Sequence, residues 1–306
     1  MFNENTPIEK LELSALSGLD VELWLKRDDL IHEEISGNKW RKLKLNIEKA
    51  KAGKYDGILT FGGAYSNHIS ATAAAGKALG IVTIGIIRGE ELHAESNETL
   101  RNAAANGMQL VFVTREEYSW RYEKDYEYSL RNRFGNVLVI GEGGANFHGV
   151  MGCTEIVAEL DNEPDYFILP AGTGTTAAGI LMAAEKAKVI AVPVFKKGDF
   201  IRDEIRELLY YAGLDDETIE EKLAQLKLAT DYHFGGYGKF TPELIAFLNE
   251  THKKTGIELD QIYTGKMFYT LCDWVNKGLI APESSVVAIH TGGLQGTSSI
   301  REQLIY

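Results

Sequence analysis

Residues 166–179 read YFILPAGTGTTAAG, and this stretch decides the fold. The apolar run at 166–169 is typical of a buried strand, and AAGILMAAEKA at 177–187 is typical of a helix. The glycines between them let the backbone approach an anion closely, and the free N–H groups at the start of the helix point toward it. The stretch therefore predicts a strand, a phosphate-binding turn and a helix. A tight turn that needs small residues only for packing is the alternative.

Short apolar runs alternate with helix-length segments along the rest of the chain. The segments 66–79 and 99–106 are two of these predicted helices. Strands that alternate with helices are typical of βαβ units and of a parallel sheet covered on both faces. Besides 166–169, the predicted strands are Ile58–Phe61, Ile81–Ile87, Leu110–Val113, Val137–Ile140, Val189–Val194 and Val286–Ile289.

The predicted strands are too many for one sheet and fall into an early and a late group. This grouping predicts a two-domain α/β fold of mostly parallel, twisted sheets flanked by helices. We expect a smaller domain at residues 47–149 and a larger domain that combines residues 1–46 with 150–306. Ligands of such folds bind beyond the carboxyl ends of the strands, so we expect the site in the cleft between the two sheets.

The composition excludes several classes of partner. The chain of 306 residues has 32 Lys and Arg against 44 Asp and Glu, a formal net charge of −12. Nucleic acids and anionic membranes attract basic surfaces, so we expect neither as a partner. The sequence begins without the pattern of a signal peptide, and no apolar run reaches the ~18 residues of a membrane span. We expect a cytoplasmic protein whose two cysteines, Cys153 and Cys272, are free and buried and form no metal-binding spacing.

The segment SGNKWRKL at residues 36–43 predicts the start of a helix that Ser36 or Asn38 can cap. Lys39 falls in the first turn, where the helix dipole disfavours a cation. Partial burial would lower its pKa further and leave the amine available as a nucleophile. Lys42 lies on the same side one turn later and can meet an anion. A solvated basic helix is the alternative for an isolated KWRKLK.

The segment TFGGAYSNH at residues 60–68 predicts another strand-to-helix turn, with Ser66 or Asn67 as the helix cap. The backbone N–H groups of such a turn can hold a carboxylate. Ser66 can donate a hydrogen bond or act as a nucleophile, although no GxSxG elbow surrounds it. Asn67 can donate to a phenolic oxygen. His68 has no metal partner nearby in the sequence, and a histidine in this setting more often caps or packs.

Three further residues are candidates for the cleft. Tyr237 and Tyr263 stand in the glycine-rich segments GGYG and IYTGK, which indicates either packed loops or phenols that serve as acid or base. The segment VVAIHTGG at 286–293 predicts a buried strand that ends at Thr291. A neutral hydroxyl at that position can bond a pyridine nitrogen.

Taken together and in order, these segments resemble the fold-type-II pyridoxal-phosphate enzymes, whose fold is like that of the tryptophan synthase beta subunit. The resemblance is closest to the family of D-cysteine desulfhydrase and 1-aminocyclopropane-1-carboxylate deaminase, and it extends over residues 23–296. The segments that carry it are KRDDL at 26–30, GNKWRKL at 37–43, GGAYSNH at 62–68, GTGTT at 172–176, YTGK at 263–266 and HTGG at 290–293.

The resemblance implies pyridoxal 5'-phosphate as cofactor, a small amino acid as substrate and a homodimer. Lys39 would carry the cofactor as a Schiff base and remove the α-proton, and a leaving group would then depart from Cβ. The phosphate would be held by Lys42, Gly172, Thr173, Gly174, Thr175 and Thr176. Asn67 would contact the ring oxygen and Thr291 the pyridine nitrogen. Ser66, Asn67 and His68 would receive the substrate carboxylate, and Tyr237 and Tyr263 would stand over the substrate.

Two positions bear on the substrate. Thr264 stands where the cyclopropane-cleaving deaminases typically have Glu, and His68 stands where they have Gln. Both differences favour a D-cysteine desulfhydrase, with a deaminase of aminocyclopropane-carboxylate or of D-serine as the alternative. From other classes, a non-catalytic amino-acid or cofactor-binding protein is possible. An NAD or ATP enzyme is disfavoured because the acidic ribose partner and the P-loop lysine are missing.

Overall fold

The computed structural model describes residues 5–12, 21–35 and 37–306, and the strands in these ranges form two sheets. The larger sheet has the spatial order β1 (Ile8–Leu11), β2 (Glu22–Lys26), β10 (Ser285–Ile289), β7 (Tyr166–Ala171), β8 (Lys188–Pro193) and β9 (Leu226–Leu228). The smaller sheet has the order β5 (Gln109–Val113), β4 (Val82–Arg88), β3 (Gly57–Gly62) and β6 (Val137–Ile140). Every described pairing is parallel except that of β1 with β2.

Helices connect the strands and cover the sheets. Those near the smaller sheet in sequence are α1 (Asn38–Ala52), α2 (Asn67–Leu79), α3 (Glu98–Ala105), α4 (Arg115–Ser119) and α5 (Lys124–Phe134). The later ones are α6 (Phe147–Ala158), α7 (Thr175–Ala183), α8 (Ile201–Tyr211), α9 (Asp216–Ala224), α10 (Pro242–Thr255) and α11 (Thr264–Asn276). Within the described ranges, no helix combines the length and apolar character that a membrane crossing requires.

The larger sheet is buried on both faces because successive side chains of a strand point to opposite sides. Phe167 and Leu169 of β7 pack with α6, α7 and α8, whereas Tyr166 and Ile168 pack on the other side with α10 and α11. All six residues of β7 are buried, which explains why its sequence is a continuous apolar run.

The smaller sheet is covered in the same way. Ile58 of β3 packs against α1 through Leu43 and Ile47, and Leu59 and Phe61 pack on the opposite face. Helix α1 also lies alongside α6, where the backbone of Arg41 approaches Gly152 so closely that a Cβ on this glycine would lie 1.9 Å from the Arg41 carbonyl oxygen. Helix α1 therefore joins the packing of both sheets.

The predicted mixed α/β fold with two mostly parallel sheets is confirmed, and all seven predicted strands are present. The strands β1, β2 and β9 were not predicted. The division into residues 47–149 and the remainder stays a prediction; its boundary after residue 46 falls inside α1. Both cysteines are free and buried.

Candidate active site

A cleft of about 810 Å³ lies where the carboxyl ends of strands from both sheets meet. From the smaller sheet it is lined by the turn after β3 and by Arg88 at the end of β4. From the larger sheet it is lined by the turn after β7 and by the segment after β10. Every predicted site residue lines this cleft: Lys39, Lys42, Ser66, Asn67, His68, Gly172, Thr173, Gly174, Thr175, Thr176, Tyr237, Tyr263 and Thr291.

Lys39 lies in the first turn of α1, where its Nζ donates to Asn38 Oδ1 over 2.9 Å. Burial, with the nearby charge of Lys42 as a second cause, lowers the pKa of the Lys39 amine to about 7. An amine with this pKa is neutral in a large fraction of molecules at neutral pH. Lys39 can therefore act as a nucleophile or a base without a separate group to deprotonate it.

Asn38 has a different role from the one that its sequence predicts. The helix begins at Asn38 with Gly37 as N-cap, and no side chain caps it; Ser36 lies outside the described residues. The Asn38 amide nitrogen donates to Thr176 Oγ1 over 2.8 Å, so one side chain joins the lysine to the turn after β7. Gly37, at φ 67°, lies so close to the segment after β10 that a Cβ would be 1.7 Å from the Thr291 carbonyl oxygen.

The turn after β7 has the form of an anion cradle. Helix α7 starts at Thr175, and its N-cap, Gly174 at φ 75°, provides no side chain to satisfy the first N–H groups. The hydroxyls of Thr173 and Thr175 lie 2.9 Å apart. The neighbouring Lys42 amine is also buried, and this burial lowers its pKa. Free N–H groups, hydroxyls and an amine thus converge where a phosphate would bind.

The turn after β3 has the predicted form, and Ser66 is its cap because Ser66 Oγ accepts from the backbone N–H of Ile69 over 3.2 Å. Helix α2 begins at Asn67, so the N–H groups of Asn67 and His68 are those that a helix start leaves without an intrahelical partner. These two groups can receive a carboxylate. The Asn67 side chain lies near the segment after β10. Its Nδ2 is 2.9 Å from the position that a Cβ on Gly293 would occupy.

The His68 ring is tied to the smaller sheet. Its Nε2 lies 3.0 Å from Thr60 Oγ1, and this hydroxyl donates to the Ile140 carbonyl oxygen over 2.9 Å. The hydroxyl can only accept from His68, so the ring carries its proton on Nε2 and leaves Nδ1 as a buried acceptor without a hydrogen bond to the described chain. Burial, with the charges of Lys39 and Lys42, holds the pKa of His68 well below its usual range. The imidazole is therefore neutral and would offer a carboxylate no charge.

Tyr237 and Tyr263 stand edge to face with ring centroids 6.1 Å apart. Burial raises the pKa of both hydroxyls, and the hydrogen bond between them lowers that of Tyr237 and raises that of Tyr263. Both phenols are therefore protonated at neutral pH and can donate. The Tyr263 hydroxyl reaches the turn after β7, 3.8 Å from where a Cβ on Gly172 would lie.

Asp260 was not predicted from the sequence, yet it holds Tyr263 in place. Its Oδ1 accepts from the backbone N–H of Ile262 and Tyr263 over 2.7 and 2.6 Å. Its Oδ2 accepts from the Thr264 N–H and hydroxyl over 2.9 and 2.6 Å. The carboxylate is fully buried at the start of α11. Only its position before a helix, a common signal, marks it in the sequence.

These residues fit pyridoxal phosphate. The cofactor needs an amine with a lowered pKa, an anion cradle for its phosphate and donors for its ring oxygen and nitrogen. Lys39, the turn at 172–176, Asn67 and Thr291 line one cleft and would provide these groups. The absent Cβ of Gly172 leaves room beside the Tyr263 ring at the cradle.

Comparison with known proteins gives the same cofactor. The family model described as "Pyridoxal-phosphate dependent enzyme" matches residues 1–292. Several relatives are 31% identical to the chain over 310 residues or more. One of them is the mitochondrial bifunctional D-cysteine desulfhydrase/1-aminocyclopropane-1-carboxylate deaminase of Arabidopsis thaliana. That match spans 321 residues and covers 95% of this chain and 77% of the relative. It is 28% identical to the D-cysteine desulfhydrase of Yersinia pestis, with 94% and 91% covered.

A solved structure of an ACC deaminase homologue superimposes with a TM-score of 0.81 at 28% identity, and covers 98% of this chain and 93% of that one. A tomato threonine deaminase, at 18% identity and a TM-score of 0.66, shares the fold. The chain therefore belongs to the pyridoxal-phosphate dependent enzyme family, within its group of aminocyclopropane-carboxylate deaminases and D-cysteine desulfhydrases, and pyridoxal phosphate is its cofactor.

Proposed function

We propose that the chain is a D-cysteine desulfhydrase, which converts D-cysteine and water to pyruvate, hydrogen sulfide and ammonia. The C–H bond at Cα and the C–S bond at Cβ break, and the unsaturated amino acid that leaves is hydrolysed. When bound, pyridoxal phosphate supplies an electron sink for the charge left on Cα. The protein has to bind the carboxylate, remove the α-proton and assist the departing sulfur.

The substrate carboxylate would bind at the turn after β3. The N–H groups of Asn67 and His68 start a helix, and the partial positive charge at a helix N-terminus favours an anion. Ser66 Oγ already accepts from Ile69, and its hydroxyl hydrogen is free to donate. In this proposal His68 contributes through its backbone, because its imidazole is neutral and bonded to Thr60.

The α-proton would pass to Lys39, whose pKa of about 7 matches the pH at which a base is most effective. Its neighbour Asn38 accepts from the amine and thereby fixes the position of Nζ. On the other side of the cleft, Tyr263 and Tyr237 are protonated phenols. They can donate to the sulfur as the C–S bond breaks, which stabilises the departing thiolate.

The observation that carries the choice of substrate is the contact between Thr264 and Asp260. Thr264 Oγ1 donates to Asp260 Oδ2 over 2.6 Å and accepts from the Asp260 N–H over 3.0 Å. The Asp260 carboxylate in turn accepts from the N–H of Thr264, the first residue of α11. In this proposal Thr291 is the neutral partner of the pyridine nitrogen, and the Asp260 carboxylate, engaged by residues 262–264, is not free to keep that nitrogen protonated. Elimination from a thiol needs a weaker electron sink than opening a cyclopropane ring does, which supports D-cysteine.

Deamination of aminocyclopropane-carboxylate is the second candidate. The Arabidopsis relative carries both activities in its name and is 31% identical to this chain. The same carboxylate turn and the same lysine would serve either substrate.

A substrate panel tests the proposal. Purified holoenzyme is given D-cysteine, L-cysteine, D-serine and aminocyclopropane-carboxylate, and 2-oxo acid and sulfide are both measured. We expect sulfide and pyruvate in equal amounts from D-cysteine, with the highest kcat/KM of the panel. Lys39→Ala should abolish turnover and the absorbance band of the lysine-bound cofactor, and Lys44→Ala on the same helix serves as its control. Absence of sulfide from D-cysteine refutes the proposal, and 2-oxobutanoate from aminocyclopropane-carboxylate as the main product establishes the second candidate.

A further inference from the structure

Arg88 lines the cleft, and the proposed reaction gives this side chain no role. It is the last residue of β4, exposed, and its guanidinium carbon lies 5.7 Å from the centre of the buried Tyr118 ring. Its Nη2 lies against the turn after β3, 3.7 Å from where a Cβ on Gly63 would be. The Ser66 N–H donates to the Gly63 carbonyl oxygen at the other end of that turn. Arg88 therefore flanks the turn that ends at the proposed carboxylate site.

The other two arginines of the cleft are already neutralised. Arg121 Nε lies 2.8 Å from a carboxylate oxygen of Glu142, and Arg115 Nη2 lies 2.6 Å from one of Glu91. To the Arg88 guanidinium, the part of the chain that the structure describes offers no ion pair and no hydrogen bond, only the face of Tyr118. A guanidinium has five donors and always carries its charge, so this one is available to an anion.

The charges around the cleft contrast with those of the whole chain. The chain has a net charge of −12, but cations outnumber carboxylates in the cleft lining. The cations are Lys39, Lys42, Arg88, Arg115 and Arg121, and the carboxylates are Glu91, Glu142 and Glu204. A cofactor phosphate would neutralise the Lys42 end of the cleft. With Arg115 and Arg121 already paired and Lys39 bonded to the cofactor, Arg88 is the cation of the described lining that remains without an ionic partner, and Glu204 is the one carboxylate outside the two pairs. The cleft walls concentrate the field of Arg88 on an entering ligand.

Arg88 also acts across the cleft. Its charge slightly opposes the rise that burial causes in the pKa of Tyr237, which belongs to the opposite wall. A substrate held between the turn after β3 and the two tyrosines would therefore extend its side chain within reach of the guanidinium field.

We infer that Arg88 is a specificity residue, which binds a negatively charged group on the substrate side chain. The preferred ligands are then small amino acids whose side chain ends in an anion, such as a carboxylate, a sulfonate or a thiolate. The inference rests on the proposed function in one respect, the binding of the α-carboxylate at residues 66–68. It is consistent with D-cysteine, because a guanidinium favours the thiolate over the thiol.

Aspartate and asparagine form the sharpest probe, since they have nearly the same shape and differ in side-chain charge. Both enantiomers of each are titrated into holoenzyme, and binding is followed by the absorbance of the bound cofactor. We expect the parent to bind aspartate at least about tenfold more tightly than asparagine for the preferred enantiomer, as a charge-assisted bidentate bond would give. Arg88→Gln should reduce this ratio to about twofold or less, and Arg88→Lys should retain part of it because the charge remains.

Arg101→Gln is the matched control. It removes the same charge, but Arg101 is exposed on α3, is paired with Glu95 over 2.7 Å and does not line the cleft. We expect its aspartate-to-asparagine ratio to equal that of the parent. Normal cofactor absorbance in each variant checks that the site is intact.

The inference is overturned if the parent binds both ligands equally or binds neither, or if Arg101→Gln lowers the ratio as much as Arg88→Gln does. Its failure can be separated from that of the proposed function. A chain that prefers aspartate through Arg88 but releases no sulfide from D-cysteine keeps the inference and loses the desulfhydrase proposal. A chain that releases sulfide from D-cysteine but does not prefer aspartate keeps the desulfhydrase proposal and loses the inference about Arg88.

Discussion

Arg41 binds Asp28 through two parallel hydrogen bonds of 2.7 Å, from Nε to Oδ2 and from Nη2 to Oδ1. The same guanidinium binds both oxygens of Glu159 over 2.7 and 2.9 Å, and Lys26 Nζ completes the cluster at 2.5 Å from Glu159 Oε2. Arg41 is 1% exposed. Because it lies between Lys39 and Lys42 on α1, this buried cluster fixes the helix that carries both lysines to β2 and α6.

Replacing Arg41 with Met should lower the free energy of unfolding by about 3–5 kcal/mol, because the buried Asp28 carboxylate loses its main partner and the partly buried Glu159 keeps only Lys26. Urea denaturation monitored by circular dichroism measures the change. The exposed pair of Arg131 and Glu127, at 2.8 Å, is the control, and Arg131→Met should cost less than about 1 kcal/mol. Equal losses for the two variants would show that the cluster does not stabilise α1.

The lowered pKa of Lys39 predicts how cofactor uptake depends on pH. Only the neutral amine attacks the aldehyde of pyridoxal phosphate, and a pKa of about 7 makes the amine neutral above that pH. The uptake rate should therefore rise through about pH 7 and level off, instead of rising toward the usual value of about 10.4. Stopped-flow absorbance of cofactor-free protein mixed with pyridoxal phosphate measures it. A rate that still climbs tenfold per pH unit above about pH 8 would contradict the prediction.

Several features of the fold and site follow from sequence patterns, while others depend on distant contacts. The seven predicted strands are apolar runs, and the run itself is the signal. By contrast, β1 is short and half-exposed, β9 has three residues, and β2 contains the buried Lys26, whose charge is compensated by Glu159 from far along the chain. A local pattern cannot report such compensation.

The site shows the same distinction. Ser66 and the turn at 172–176 are recognisable because helix starts and glycine turns have local signatures. The sequence predicts that Asn38 caps a helix, but its side chain donates a hydrogen bond to Thr176, 138 positions away. Asp260 and Arg88 are ordinary charged residues in the sequence. Asp260 acts through hydrogen bonds to residues 262–264, which place Tyr263 at the cleft. The role proposed for Arg88 arises because β4 ends at the same cleft.

Gly174→Ala should weaken cofactor binding. Residue 174 has φ 75°, and a Cβ there would lie 2.7 Å from Ile205 Cγ1, so the start of α7 has to move. We expect the dissociation constant of pyridoxal phosphate to rise at least about tenfold, and the unfolding free energy to fall by about 1–3 kcal/mol. Fluorescence titration and denaturation measure the two effects.

Gly213→Ala separates the two effects. Gly213 has φ 96°, and apart from its chain neighbours no heavy atom of the described residues lies within 4 Å of its missing Cβ, so the variant has the backbone cost without the clash. It should lose about 1 kcal/mol of stability and bind the cofactor as the parent does. If both variants bind pyridoxal phosphate normally, the turn at 172–176 is not the phosphate cradle.

Tyr263→Phe tests the acid proposed for the departing thiolate. The variant keeps the ring and the backbone bonds to Asp260 and loses only the hydroxyl. We expect kcat for D-cysteine to fall by about a hundredfold while the affinity for pyridoxal phosphate changes little. The loss should be smaller for 3-chloro-D-alanine, because chloride leaves without a proton. Equal losses for both substrates would assign the hydroxyl to binding or positioning instead.

The two hydrogen bonds of Thr60 predict a single, neutral form of His68. Thr60 Oγ1 gives its proton to the Ile140 carbonyl and accepts from His68 Nε2, and burial together with Lys39 and Lys42 opposes a second proton on the ring. In nitrogen-15 NMR spectra, we expect the Nε2–H tautomer to persist without titrating from about pH 5 to about pH 8, across the usual histidine pKa of about 6.5. Thr60→Val removes the acceptor and should restore exchange between the tautomers. A His68 that protonates near its usual pKa would instead give the substrate carboxylate a cationic partner, and the carboxylate site would then depend on this side chain as well as on the start of α2.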